Sequence, residues 1–133
     1  MADLLIVDDD SDLADLLAET LRAEGHAVRV AHDGREGLKR SDEQPPDLVL
    51  LDVEMPRMSG PGMAHQLLLH DCGLEKVPIV LVSGLVDLPR IAELVGTPYF
   101  LPKPYDAEAI LEVVERALAE RVPPMPLEGA PRT

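Results

Sequence analysis

Leu48, Val49, Leu50 and Leu51 form an unbroken apolar run, entered from Pro45-Pro46 and left through one acid, Asp52. Four consecutive apolar residues bounded by proline and turn residues predict a strand buried on both faces. Asp52 then falls at the strand's carboxyl end, where open α/β sheets build their sites. The stretch runs on through Met55-Pro56 to Ser59-Gly60, a turn. Taken alone, Asp52 would do no more than cap a loop, but three other segments end in the same manner.

The first is Leu4-Leu5-Ile6-Val7, which runs into Asp8-Asp9-Asp10. Ser11 or Asp10 can cap the helix that follows. Leu13, Leu16, Leu17, Thr20 and Leu21 recur at helical spacing, which predicts an amphipathic helix over 12–24 closed by Gly25. Ala27–Ala31 alternates in part, as an edge strand does. Asp33-Gly34 turns the chain into a second helix to about Arg40, weakened by Gly37. A third helix runs from Gly60 to about Asp71, with Pro61 in its first turn. Pro78 introduces Ile79–Val82, a buried strand ending in Ser83-Gly84. A short fourth helix starts at Asp87 and Pro89 and ends near Val95-Gly96. Tyr99-Phe100-Leu101 is a last strand, ending in Pro102-Lys103-Pro104. Asp106 caps a final helix whose stripe is Ile110, Val113, Val114, Ala117 and Leu118.

Five strands alternating with five helices predict a parallel sheet of α/β class covered on both faces. For a chain of this size the doubly wound, flavodoxin-like order 2-1-3-4-5 is the expectation. With 133 residues there is room for one such domain, expected over 1–121. Residues 122–133 carry Pro123, Pro124, Pro126 and Pro131 and are expected to be a disordered tail. Aromatic residues make up only 2% of the chain, so the core must rest on Leu, Val, Ile, Ala and Met.

The formal net charge of −13 repels phosphate backbones and anionic lipids. Nucleic acid and membrane are therefore not expected as direct partners. The single cysteine, Cys72, permits no intramolecular disulfide. No apolar run approaches transmembrane length, and no basic stretch precedes an apolar one at the start. A cytoplasmic location is the expectation.

In the order 2-1-3-4-5, Asp8, Asp9 and Asp52 meet at the switch point, with Ser83 and Lys103 on the other side of Asp52. Unit charges ~4 Å apart repel by ~4 kcal/mol per pair at an effective dielectric near 20. Protonation or a hard cation relieves that repulsion. Carboxylates with room for water suit Mg²⁺. With such an ion bound, an acid can act as a nucleophile toward phosphorus and become an aspartyl phosphate. The ion, the Lys103 ammonium and the Ser83 hydroxyl can each hold one phosphoryl oxygen.

LLIVDDD at 4–10, VLLDVEMPRMSG at 49–60, IVLVSG at 79–84 and PKPY at 102–105 together resemble the receiver domain of two-component response regulators. The resemblance runs from residue 3 to about residue 120. It implies that Asp52 is the phosphoacceptor, Asp9 a direct Mg²⁺ ligand and Asp8 an acid that holds the ion through water. The Glu54 backbone carbonyl would complete the coordination. Ser83 matches the hydroxyl that contacts the phosphoryl group and switches inward. Phe100 matches the switch aromatic, and Lys103 the lysine that pairs with the phosphoryl group. The Lys103-Pro104 bond matches a cis peptide.

The segment from Ser83 to Phe100 is short for the family, Gly96-Thr97-Pro98 departs from its usual Gly-Ala pair, and Pro61-Gly62 opens the third helix unusually. About a dozen residues follow the receiver, which implies a stand-alone unit acting through protein–protein contacts. The implied donors are a sensor histidine kinase or a histidine phosphotransfer protein, and the downstream protein is unknown. No chemistry is implied beyond self-phosphorylation from a phosphodonor and autodephosphorylation. One alternative is an interaction module that keeps the fold without phosphorylation. Another is a phosphoaspartyl phosphatase using the DxD spacing within Asp8-Asp9-Asp10, which leaves Asp52 without a role.

Overall fold

The structure is a computed structural model and describes residues 2–32, 34–52, 77–84 and 88–123. Its frame is a five-stranded sheet in the order β2-β1-β3-β4-β5, with every pairing parallel. The strands are β1 (Asp3–Val7), β2 (Ala27–Ala31), β3 (Leu48–Asp52), β4 (Ile79–Ser83) and β5 (Phe100–Pro102). The helices are α1 (Ser11–Ala23), α2 (Gly34–Glu43), α3 (Leu88–Val95) and α4 (Ala107–Glu120).

The apolar runs become strands because both of their faces are covered. Every residue of β3 and β4 is buried. Side chains alternate across the sheet with a period of two, which sorts them into two layers. Leu4, Ile6, Leu48, Leu50, Val80 and Val82 point to the face that carries α1 and α4. Leu5, Val7, Val49, Leu51, Ile79 and Leu81 point to the other face, against Leu88 and Ala92 of α3. Fully burying one such side chain contributes about 1.5–3 kcal/mol. The two edge strands are only partly covered, as the mixed exposure of Ala27–Ala31 and Phe100–Pro102 shows.

The expected element order and strand order hold, and several boundaries move. Helix α2 runs to Glu43 rather than Arg40. Arg29 of β2 explains the extra turn: its guanidinium donates to the Arg40 carbonyl at 3.0 Å and the Gln44 carbonyl at 2.8 Å. These bonds tie the end of the helix to β2, where the Arg40 carbonyl also accepts from the Gln44 amide at 3.1 Å. Asp3 anchors the same guanidinium at 3.2 Å. Asp10, not Ser11, caps α1, accepting from the Leu13 amide at 3.2 Å. Asp106 caps α4 in the same way, from the Ala109 amide at 2.8 Å. Strand β5 begins at Phe100, one residue later than its apolar pattern predicts.

The short segment before β5 still makes a two-turn helix. Gly96, with φ of 82°, stops α3, and its amide bonds to the Ala92 carbonyl at 2.8 Å. Thr97 then stitches the turn to the sheet, donating to the Ile79 carbonyl at 2.6 Å and accepting from the Tyr99 amide at 3.2 Å. The helix expected from Gly60 to Asp71 lies outside the described residues, as does most of the expected tail. No helix among the described residues is long and apolar enough to cross a membrane.

Candidate functional site

Parallel strands all end on the same side, so whatever follows their last residues is gathered there. Val7 pairs with Leu51, Asp52 with Val82, and Ser83 with Pro102. This register brings the residues after β1, the end of β3, the end of β4 and the residue after β5 to one edge of the sheet.

Carboxylate oxygens of Asp8, Asp9 and Asp52 lie within 4.8 Å of one another. Asp8 and Asp52 are buried and Asp9 is exposed. The Lys103 ammonium stands 3.1 Å from Asp52 Oδ2. Asp8 Oδ1 accepts from the Asp10 amide at 2.9 Å, which fixes the direction of the acidic loop. Asp10 itself turns away to cap α1. Ser83 is fully buried, and its carbonyl accepts from the Lys103 amide at 2.8 Å. The Lys103-Pro104 peptide is cis. Phe100 stands at the surface, 36% exposed. Glu54 lies outside the described residues.

The electrostatics follow from this crowding. Burial raises the Asp8 carboxyl to about 6 and the Asp52 carboxylate pushes it the same way, while the Asp10 amide and the Lys103 ammonium pull it down. Three carboxylates in reach of one point, one of them open to water, fit a hard divalent cation that keeps part of its hydration shell. The donor set offers oxygen alone, which suits Mg²⁺ rather than a softer metal.

Sequence alone gives Tyr105 no role. Its half-buried phenol is raised mainly by burial, lowered by Lys103 and raised further by Asp8 and Asp52, so it stands within the field of the site. Only its place in the PKPY stretch hints at this. Beside it lies a cavity of about 370 Å³ between α1 and the start of α4, lined by Leu13, Leu16, Lys103 and Tyr105 among others. Leu13 and Leu16, both expected to face the core, are 43% and 60% exposed. The core needs only Ala14, Leu17, Ala18 and Leu21 from α1.

The model of the response regulator receiver domain family matches residues 4–115. Response regulator MprA of Mycolicibacterium vanbaalenii is 37% identical over 123 residues, which is 91% of this chain and 52% of that protein. Its counterpart in Mycobacterium tuberculosis is 36% identical over the same length. The chain thus spans about half the length of the curated relatives it matches. Among solved structures, chemotaxis response regulator CheY4 of Vibrio cholerae superposes with a TM-score of 0.79 at 28% identity, covering 87% of this chain and 98% of that one. NtrX from Brucella abortus, in complex with ADP, gives a TM-score of 0.81 at 31% identity, covering 90% of this chain and 27% of that one.

Proposed function

The chain belongs to the response regulator receiver domain family, and on that premise we propose that Asp52 accepts a phosphoryl group from the phosphohistidine of a partner protein. The partner is a sensor histidine kinase or a histidine phosphotransfer protein. The observation that carries the reading is the meeting of Asp52 with two further carboxylates and with the Lys103 ammonium at 3.1 Å.

An oxygen of Asp52 forms the new P–O bond while the P–N bond to the partner's imidazole breaks, and the departing ring nitrogen keeps the electron pair. Lys103 and the Ser83 hydroxyl each hold a phosphoryl oxygen. Asp9, Asp52 and the Glu54 carbonyl would hold Mg²⁺ directly, and Asp8 through water. When bound, the ion supplies charge neutralisation between the phosphoryl oxygens and the acids. Leu13 and Leu16, exposed in the cavity that Lys103 also lines, give the partner an apolar seat.

Residues 1–121 act as the receiver unit, in the cytoplasm, with 122–133 as the tail that leaves it. Phosphorylation alters the surface that this unit presents to a downstream protein. Its own residues do not contact nucleic acid or membrane, in keeping with a net charge of −13. The phosphatase alternative loses support from Asp10, whose side chain is committed to the Leu13 amide.

The test is labelling with acetyl phosphate in the presence of Mg²⁺. Label should enter the wild type, be absent from Asp52→Asn, and fall sharply in Asp9→Ala. Recovery of the label on Asp8 or Asp10 would overturn the assignment.

A further inference from the structure

Strand β5 is the shortest in the sheet and lies at its edge, paired only with β4. It has a side-chain tie at each end. Just after it, Lys103 reaches Asp52 at 3.1 Å. Just before it, the fully buried Tyr99 reaches the far end of α4. The Tyr99 hydroxyl donates to Glu120 Oε1 at 2.9 Å and accepts from the Val122 amide at 3.4 Å. The Arg116 guanidinium lies 5.3 Å from the Tyr99 ring centre and donates to the Pro98 carbonyl at 3.3 Å. About 13 Å of extended backbone separates the two ties.

The grip falls where α4 no longer holds its own chain. Arg121 closes the helix in the left-handed region, with φ of 52°, its amide bonded to Ala117. The next amide, Val122, is taken by the phenol of Tyr99. The direction in which the chain leaves α4 is therefore set by a contact with Tyr99, the residue before β5, as well as by the helix.

We propose that β5 acts as a lever that reports the state of Asp52 to the segment leaving α4, residues 121–123, with Tyr99 as the grip at its far end. This rests on the reading of Asp52 as phosphoacceptor. A phosphoryl group on Asp52 moves the negative charge outward from the carboxylate to the phosphoryl oxygens, and the Lys103 ammonium follows it. The Lys103 amide is bonded to Ser83, so the displacement enters the backbone at the end of β5. The enclosed Tyr99 ring cannot turn independently of its backbone, so its hydroxyl carries the displacement to Glu120 and Val122. Tyr99 is a positioning residue here and takes no part in the transfer.

The experiment compares ¹H–¹⁵N spectra of the full chain with and without Mg²⁺ and beryllofluoride, for wild type, Tyr99→Phe and Glu120→Gln. In wild type the Lys103 and Val122 amides should both shift. In Tyr99→Phe, which keeps the ring in the core, the Lys103 shift should persist and the Val122 shift should vanish. Glu120→Gln changes only an exposed group and should reduce the Val122 shift. A wild-type Val122 that stays still while Lys103 moves would overturn the lever alone. So would a Val122 that moves as far in Tyr99→Phe as in wild type. A Lys103 amide that does not respond in wild type sinks the phosphoacceptor reading, and the lever with it.

Discussion

At Asp8, burial and a neighbouring carboxylate act in the same direction, and the result is a pH dependence with a definite sign. The folded protein holds this proton up to about 6, against 3.8 for the free side chain. The native state therefore binds more protons than the unfolded chain between those values, and stability falls as pH rises through the window. The cost is absent below the unfolded value and complete above the folded one, on the order of 2–3 kcal/mol. In metal-free protein, Asp8→Asn should be more stable than wild type near pH 7.5 by about 1–3 kcal/mol, and the gap should close toward pH 4. Urea unfolding across that range measures it, and parallel profiles for the two proteins would refute it. The acids of the site were legible in the sequence because each follows an apolar run, and a parallel sheet gathers the ends of its strands. Tyr99 was not legible, because its partners Glu120 and Val122 lie 21 and 23 residues away and no local pattern joins them.

Among the elements, the turn between α3 and β5 shows how a departure from a familiar pattern is made good. Gly96-Thr97-Pro98 departs from the family's usual Gly-Ala pair, yet α3 keeps two turns and packs Leu88 and Ala92 into the core. Thr97 carries the compensation with two buried hydrogen bonds, one to Ile79 and one from Tyr99. Thr97→Val keeps the shape and removes both, leaving a buried carbonyl and a buried amide without that partner. The expected loss is about 2–4 kcal/mol, with Thr97→Ser recovering much of it. Denaturant midpoints decide the matter; a Val variant as stable as the Ser variant would show that the hydroxyl is dispensable. The end of α2 makes a related point. Gly37 argues for a weak helix, but Arg29 of β2 ties down the Arg40 and Gln44 carbonyls at its end, which a local reading of the helix does not contain. At α4 the local signal sufficed: Asp106 reads as a cap and is one. Asp106→Ala should cost about 1 kcal/mol in thermal or chemical unfolding.

For the whole molecule, the alternation of runs and helical periods pointed to a parallel sheet, and the order 2-1-3-4-5, expected from the size and the flavodoxin-like pattern, places Ser83 and Phe100 on adjacent strands around one site. Leu81 pairs with Phe100 and Ser83 with Pro102, so the two residues lie within one short stretch of ladder. Phe100 stands outward at 36% exposure, while Ser83 is buried. Two features make an inward Phe100 inexpensive. A serine at position 83 fills less space than a threonine, and phenylalanine has no hydroxyl that must find a buried partner, as tyrosine does. The unmodified protein is therefore expected to sample the inward arrangement as a minor state, at roughly 0.1–10% population, which the proposed phosphorylation should enlarge without creating it. Relaxation-dispersion NMR on residues 83–84 and 99–103 should detect exchange in the free protein. With Mg²⁺ and beryllofluoride the minor shifts should become the major ones. Ser83→Thr should lower the minor population by adding a methyl group in the path of the ring. A free protein without exchange there, converting to a new state only when modified, would show that the arrangement is induced.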